Sequence, residues 1–153
     1  MKKLLTTLVL VCTLAAVGTA QSTAPAAPAA TVVPDVIVSG YKAFLASGYA
    51  AAVAAWSANS PLAIDGATLA GISNVLLNES NLGGNFVGAD VIRVVNLSAS
   101  AELVYALTRY QHGMLFMSFT CYKPSPTDKW LVTVIDVDKD PAKILPTNIL
   151  GGL

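Results

Sequence analysis

Few side chains of this 153-residue chain belong to types that do chemistry, and their settings narrow the choice further. The one histidine, His112, lies between Gln111 and Gly113 in a hairpin-turn pattern. It reads as a solvated loop residue, because a general base needs a positioned partner and a substrate site. Cys121 alternates with Leu115, Met117 and Phe119 on one strand face, the setting of a small buried hydrophobe. No histidine or helix start stands beside it to lower its pKa. One histidine and one such cysteine are too few ligands for a Cys/His zinc site, and neither metal nor cofactor is expected. Asp136, Asp138 and Asp140 resemble an acidic calcium loop only in spacing. Pro141 stands where that loop needs glycine, and no glutamate closes twelve residues. Ser39, Ser47 and Ser73 lack the G-x-S-x-G context of a nucleophile elbow, and Gly83-Gly84 precedes a strand instead of opening a phosphate-binding helix.

Asp136 is the carboxylate with the most chemical scope. Regular alternation would put it on one strand face with Val132, Val134 and Asp138. In an apolar pocket desolvation would raise its pKa and make it a base, with Tyr105 as the second catalytic candidate. Arg93 on the first strand, and Tyr105 and Arg109 on one face of the second, are the groups that could pair with it. The simpler alternative is that 136–140 is a charged strand exit running into solvent. The pocket candidates are therefore Tyr41, Trp56, Arg93, Tyr105, Arg109 and Asp136, although most of the aromatic residues are expected to fill a core.

The chain opens with Lys2 and Lys3, an apolar run over 4–17, the small residues Gly18-Thr19-Ala20, and then Gln21. These are the parts of a secretory signal, with cleavage expected between Ala20 and Gln21. The apolar run is shorter than the ~20 residues a stable span needs. Cys12 follows Val11, where lipid attachment would want a small residue. Removal of 1–20 leaves seven basic and nine acidic residues, a net charge of −2 with His112 neutral. That balance argues against nucleic acid as a partner, and no basic amphipathic helix points to a membrane surface. Cys121 would stand alone, without an intramolecular disulfide. Residues 21–34, rich in Ala and Pro, read as a tether, and 35–148 as the folded domain of a periplasmic or secreted protein.

From Asp35, a candidate helix cap, the residues Tyr41, Phe44, Leu45, Tyr49, Ala52, Val53 and Trp56 recur at helical spacing. Gly48 marks a bend or join within that run. Asp65-Gly66 restarts the chain, and Leu69, Ile72, Val75, Leu76 and Leu77 predict a second helix ending near 81–84. The period then falls to two. Residues 86–97, 102–110, 114–122 and 130–137 predict four strands, and their short links favour antiparallel pairing. The fold class is α+β, with N-terminal helices packed on a curved four-stranded antiparallel sheet.

That order of elements resembles the nuclear-transport-factor-2-like or cystatin-like α+β roll, carried by GYKAFLASGYAAAVAAW (40–56), GNFVGADVIRVV (84–95) and MSFTCYKPSPTDKWLVTVIDVD (117–138). The closing hairpin is similar to that of small secreted members of unassigned role. The resemblance implies a sheet and helices that can enclose an apolar pocket, used for catalysis in some members and binding in others; fold alone does not choose. With no complete catalytic constellation, the expected role is non-catalytic binding of a small ligand or protein partner. The alternatives are a small-molecule enzyme of isomerase or hydrolase type using Asp136, and a structural module that dimerises through exposed strand edges.

Overall fold

The computed structural model describes residues 32–151; the leader, its cleavage site at Ala20 and Gln21, and nearly all of the tether lie outside the described residues. Helix α1 (Asp35–Ser47) follows Pro34, which is fully buried and whose carbonyl accepts the Ile37 and Val38 amides at 3.0 and 3.4 Å. Asp35 was expected to cap this helix. It lies instead within the first turn, where a carboxylate still opposes the positive end of the helix, and no side chain caps the terminus. Gly48, at φ 84°, breaks the helical run as expected, and α2 (Tyr49–Ser57) continues beyond it. The buried stripe of α1 is Ile37, Gly40 and Phe44. Leu45 does not join it: one residue past Phe44 it is turned roughly 100° away and lies 68% exposed.

Gly40 is where the two helices meet. The Trp56 indole occupies the space a Cβ at Gly40 would fill, and its Nε1 donates to the Ile37 carbonyl at 3.3 Å. Ser60 then caps a 3-10 turn, Pro61–Ile64, accepting the Leu62 amide at 3.1 Å. Asp65 caps α3 (Gly66–Gly83), accepting the Thr68 amide at 3.0 Å. Gly84 ends that helix with φ 80°, close to where the sequence placed its stop.

Four antiparallel strands follow in a meander: β1 (Phe86–Ser98), β2 (Ala101–Tyr110), β3 (Met114–Tyr122) and β4 (Leu131–Asp138). Helices α1–α3 pack on one face of the sheet and precede it in the chain, so the class is α+β. On that near face Val104, Ala106, Leu115, Met117, Phe119, Cys121, Val132 and Ile135 are buried against Ile37, Phe44, Val53, Trp56, Ile72 and Leu76. Aromatic contacts knit the layers: ring centroids of Tyr41 and Trp56 lie 5.1 Å apart edge to face, those of Trp56 and Phe119 5.2 Å apart, and Phe44 stacks on Phe86 at 4.2 Å.

Strand β4 departs from regular alternation. Thr120 pairs with Val134 and Cys121 with Val132, so Thr133 is an extra residue, its hydroxyl bonded to the Thr120 carbonyl at 3.1 Å. The bulge reverses the phase. Val132 and Ile135 both face the helices, whereas Val134 and Asp136 are exposed. The expected grouping of Asp136 with Val132 is thereby corrected.

The far face is covered in part by the C-terminal segment, which the strand and helix patterns did not anticipate. Two short helical turns, α4 (Pro141–Ile144) and α5 (Thr147–Leu150), bring Leu145 and Ile149 onto Tyr105 and Phe116. Val33 packs on the near-face core and Ile149 on the far face, so packed residues extend past both ends of 35–148.

Two glycine substitutions should separate packing from propensity. Gly40→Ala should lower stability by about 1–3 kcal/mol, because the clash with Trp56 outweighs the ~1 kcal/mol gained in helix propensity. Gly71→Ala, in α3 with open space around it, should be neutral or stabilising by up to ~1 kcal/mol. Urea midpoints at unchanged m-value measure both.

Candidate functional site

Antiparallel register lines up four polar side chains on the far face. Arg93 stands opposite Tyr105, Tyr105 opposite Ser118, and Ser118 opposite Asp136. Directly opposed residues share a face with Cβ atoms about 5 Å apart. Arg93 and Asp136 are thus at opposite edges of the sheet, roughly 14 Å apart by strand spacing. Asp136 is exposed and accepts a hydrogen bond from the Ser118 hydroxyl at 3.2 Å.

At the Arg93 end, the C-terminal segment and the sheet enclose a cleft of about 430 Å³. Val95, Leu103 and Ile149 supply its apolar walls, Arg93, Asn96 and Asn148 its polar rim, and Tyr105 its inner side. Arg93 is exposed and forms no ion pair among the described residues. Tyr105 is buried, and burial alone pushes its hydroxyl above the ordinary phenol value, so it stays a neutral donor through the physiological range. Among the described residues, no Asp, Glu, His or Cys lines the cleft. It can hold an anion or an amide and an apolar body, but it presents neither a general base nor a thiol.

The remaining candidates lie elsewhere. Tyr41 and Trp56 are on the opposite side of the sheet, between helices and strands. The Tyr41 hydroxyl is 3.0 Å from Thr108 Oγ1, and burial pushes it far above its usual range; Trp56 is fully buried. Arg109 lies toward the end of β2, held by Asp90 at 2.8 Å with both groups exposed. The sheet therefore brings Arg93 and Tyr105 together and leaves Tyr41, Trp56, Arg109 and Asp136 apart from them. His112 is exposed in its turn, where its amide ties the hairpin to the Gly83 carbonyl at 2.7 Å. Cys121 is buried, its thiol pushed up to about 12 by burial and, secondarily, by Glu102.

The charges of 136–140 have local partners. Asp138 pairs with Lys143 at 2.8 Å, which with the Asp140 amide holds its carboxyl below the ordinary value. Asp140 caps α4 through the Ala142 amide at 2.9 Å. Lys139 reaches back to Glu79, 2.5 Å away. Sequence reasoning passed over Glu79, which is only 3% exposed. Its spacing from Ile72 and Leu76 puts it on the inner stripe of α3, and that was the available signal. Glu79 Oε1 lies where side chains at Gly83 and Gly113 would project, so the carboxylate fits only because both are glycine. Asn148 was also missed, since nothing in the local pattern places the chain after β4 over the sheet.

Comparison with known protein families, curated proteins and solved structures finds no match to this chain. Among the described residues no helix is long and apolar enough to cross a membrane, and no group of three or more His, Cys, Asp or Glu could hold a metal ion.

Lys139→Ala should destabilise the protein by about 1–3 kcal/mol in urea, because it strips a buried carboxylate of its counter-charge. Lys143→Ala, which breaks an exposed pair, should cost no more than ~1 kcal/mol. Burial raises the Glu102 carboxyl above its ordinary 4.5, with Lys123 opposing, and one of its oxygens is buried without a hydrogen bond. A raised folded-state pKa means that Glu102 favours folding when protonated, and this contribution is lost as pH rises through that value. Glu102→Gln should therefore flatten the fall in stability from pH 4.5 upward, measured by thermal melts across pH.

Proposed function

We propose that this chain is an exported, non-catalytic binding domain that takes a small molecule in the far-face cleft. One observation carries the reading: Arg93, Tyr105 and Asn148 line one cleft together with the apolar Val95, Leu103 and Ile149, and among the described residues no Asp, Glu, His or Cys lines it. Export rests on residues 1–20, whose charge, apolar run and small residues have the composition of a cleavable leader. The helix–helix–meander order is compatible with the nuclear-transport-factor-2-like or cystatin-like roll, the finer fold assignment we favour. In this chain the space between helices and sheet is occupied by Tyr41, Trp56, Met117 and Phe119, which favours the opposite face for a ligand. Asp136 lies outside the cleft, exposed and bonded to Ser118, and lends no support to an enzyme of isomerase or hydrolase type.

A second reading, assembly into a homodimer, is favoured by one feature. Strand β1 is an edge of the sheet and exposes Val87, Val91 and Leu97. Light scattering over a concentration series should show a monomer if binding is the function, and a concentration-dependent dimer if the edge is the working surface.

The binding reading is tested by amide chemical-shift mapping of the mature protein against a mixed small-molecule library. Saturable shifts confined to residues 93–96, 103–105 and 146–149 are expected. Hits that leave those amides unmoved and cluster elsewhere would overturn it.

A further inference from the structure

We infer that the far-face cleft selects a monoanionic amphiphile, a carboxylate bearing a short apolar chain, with Arg93 taking the carboxylate and Val95, Leu103 and Ile149 taking the chain. The inference rests on the cleft being the binding site, and adds the class of ligand. The charge count in the cleft is one-sided: among the described residues, Arg93 is the only ionised side chain that lines it. The chain has two arginines in its folded part, and their settings differ. Arg109 is bound by Asp90 at 2.8 Å, whereas Arg93 has no carboxylate partner among the described residues. A guanidinium left without a partner beside apolar walls is a planar fork of donors matched to a carboxylate. Its cross-strand neighbour Tyr105 and Asn148 of the C-terminal segment line the same cleft and bring no charge to it.

Other ligand classes fit less well. A cation would find no carboxylate among the described residues that line the cleft, and a dianion or polyanion would meet a single positive charge there. A sugar would want exposed aromatic faces and acidic acceptors, but Tyr105 is only 7% exposed and no acid lines the walls among the described residues. An apolar alcohol would gain the walls but leave the guanidinium unused. About fourfold in affinity per buried methylene is the gain the apolar walls can add to the ion pair.

The test uses octanoate, octanol and octylamine as probes of the mature protein, read by amide shift mapping and titration. Octanoate should shift residues 93–96, 103–105 and 146–149 saturably, and hexanoate should bind more weakly. Octanol and octylamine should bind at least about tenfold more weakly than octanoate. Arg93→Gln should cut octanoate affinity by about tenfold or more, and Arg93→Lys should fall between, because a point charge replaces the fork. Arg109→Gln should leave it unchanged. Arg93 is exposed, so the variants should keep the wild-type spectrum outside the cleft. Equal shifts of the cleft amides by all three probes, unaffected by Arg93→Gln, would overturn the carboxylate assignment and leave the cleft as a binding site. Octanoate shifts confined to the groove between α1 and β1, around Val38, Leu45 and Val87, or no cleft shift with any probe, would overturn both.

Discussion

The contact of Trp56 with the bare backbone at Gly40 governs the placement of everything else. An indole is among the largest side chains a core can hold, and here it is fully buried between α1, α2 and the sheet. It reaches that position because Gly40 has no side chain, and its N–H is not stranded because the Ile37 carbonyl accepts it. Carbonyls within a helix already accept one bond, so this second one uses a spare lone pair and leaves the ladder intact. With α1 and α2 closed on each other, the pair presents Phe44, Val53 and Trp56 to the strands as one surface. The aromatic contacts to Phe86 and Phe119 follow from that geometry.

A sheet with one face so covered must still manage the other. Here the covering is partial: a dozen residues after β4 fold back to place Leu145 and Ile149 on Tyr105 and Phe116. Short helical turns of this kind have little stability of their own and are held by what they cover. Their incomplete reach leaves a cleft on the β1–β2 side, with Arg93 at its rim and Tyr105 at its floor. The bulge at Thr133 decides the other side of that face, turning Asp136 outward to Ser118 while keeping Val132 and Ile135 in the core. A charge that could have been buried is thereby left in water.

Electrostatics divides the charged groups into those with structural employment and those without. Glu79 is buried and faces Lys139 between glycines; Asp138 and Asp140 organise the exit from β4; Asp90 holds Arg109. Burial of a carboxylate is costly unless it is paired, which ties α3 to the end of β4 through Glu79 and Lys139. Arg93 has no carboxylate partner among the described residues, and the described side chains that line the cleft with it are apolar or neutral polar groups.

Element by element, the residue pattern alone was enough for the α+β class, for the join at Gly48, for the stop at Gly84, and for four antiparallel strands within a residue or two of their ends. These are short-range properties: side-chain periodicity, and glycine's tolerance of positive φ, act within a few residues of chain. Which polar groups would meet was another matter. Arg93 and Tyr105 share a face because of strand register, Tyr41 and Trp56 are removed to the other face by the helices, and Asp136 is reoriented by one inserted residue. The burial of Glu79 and the fold-back of 139–151 depend on partners distant along the chain, and four-residue helices leave no periodic trace to read. Local preference determines the elements; long-range packing alone decides which side chains end up beside one another, because register and face are properties of pairs of segments and not of either one.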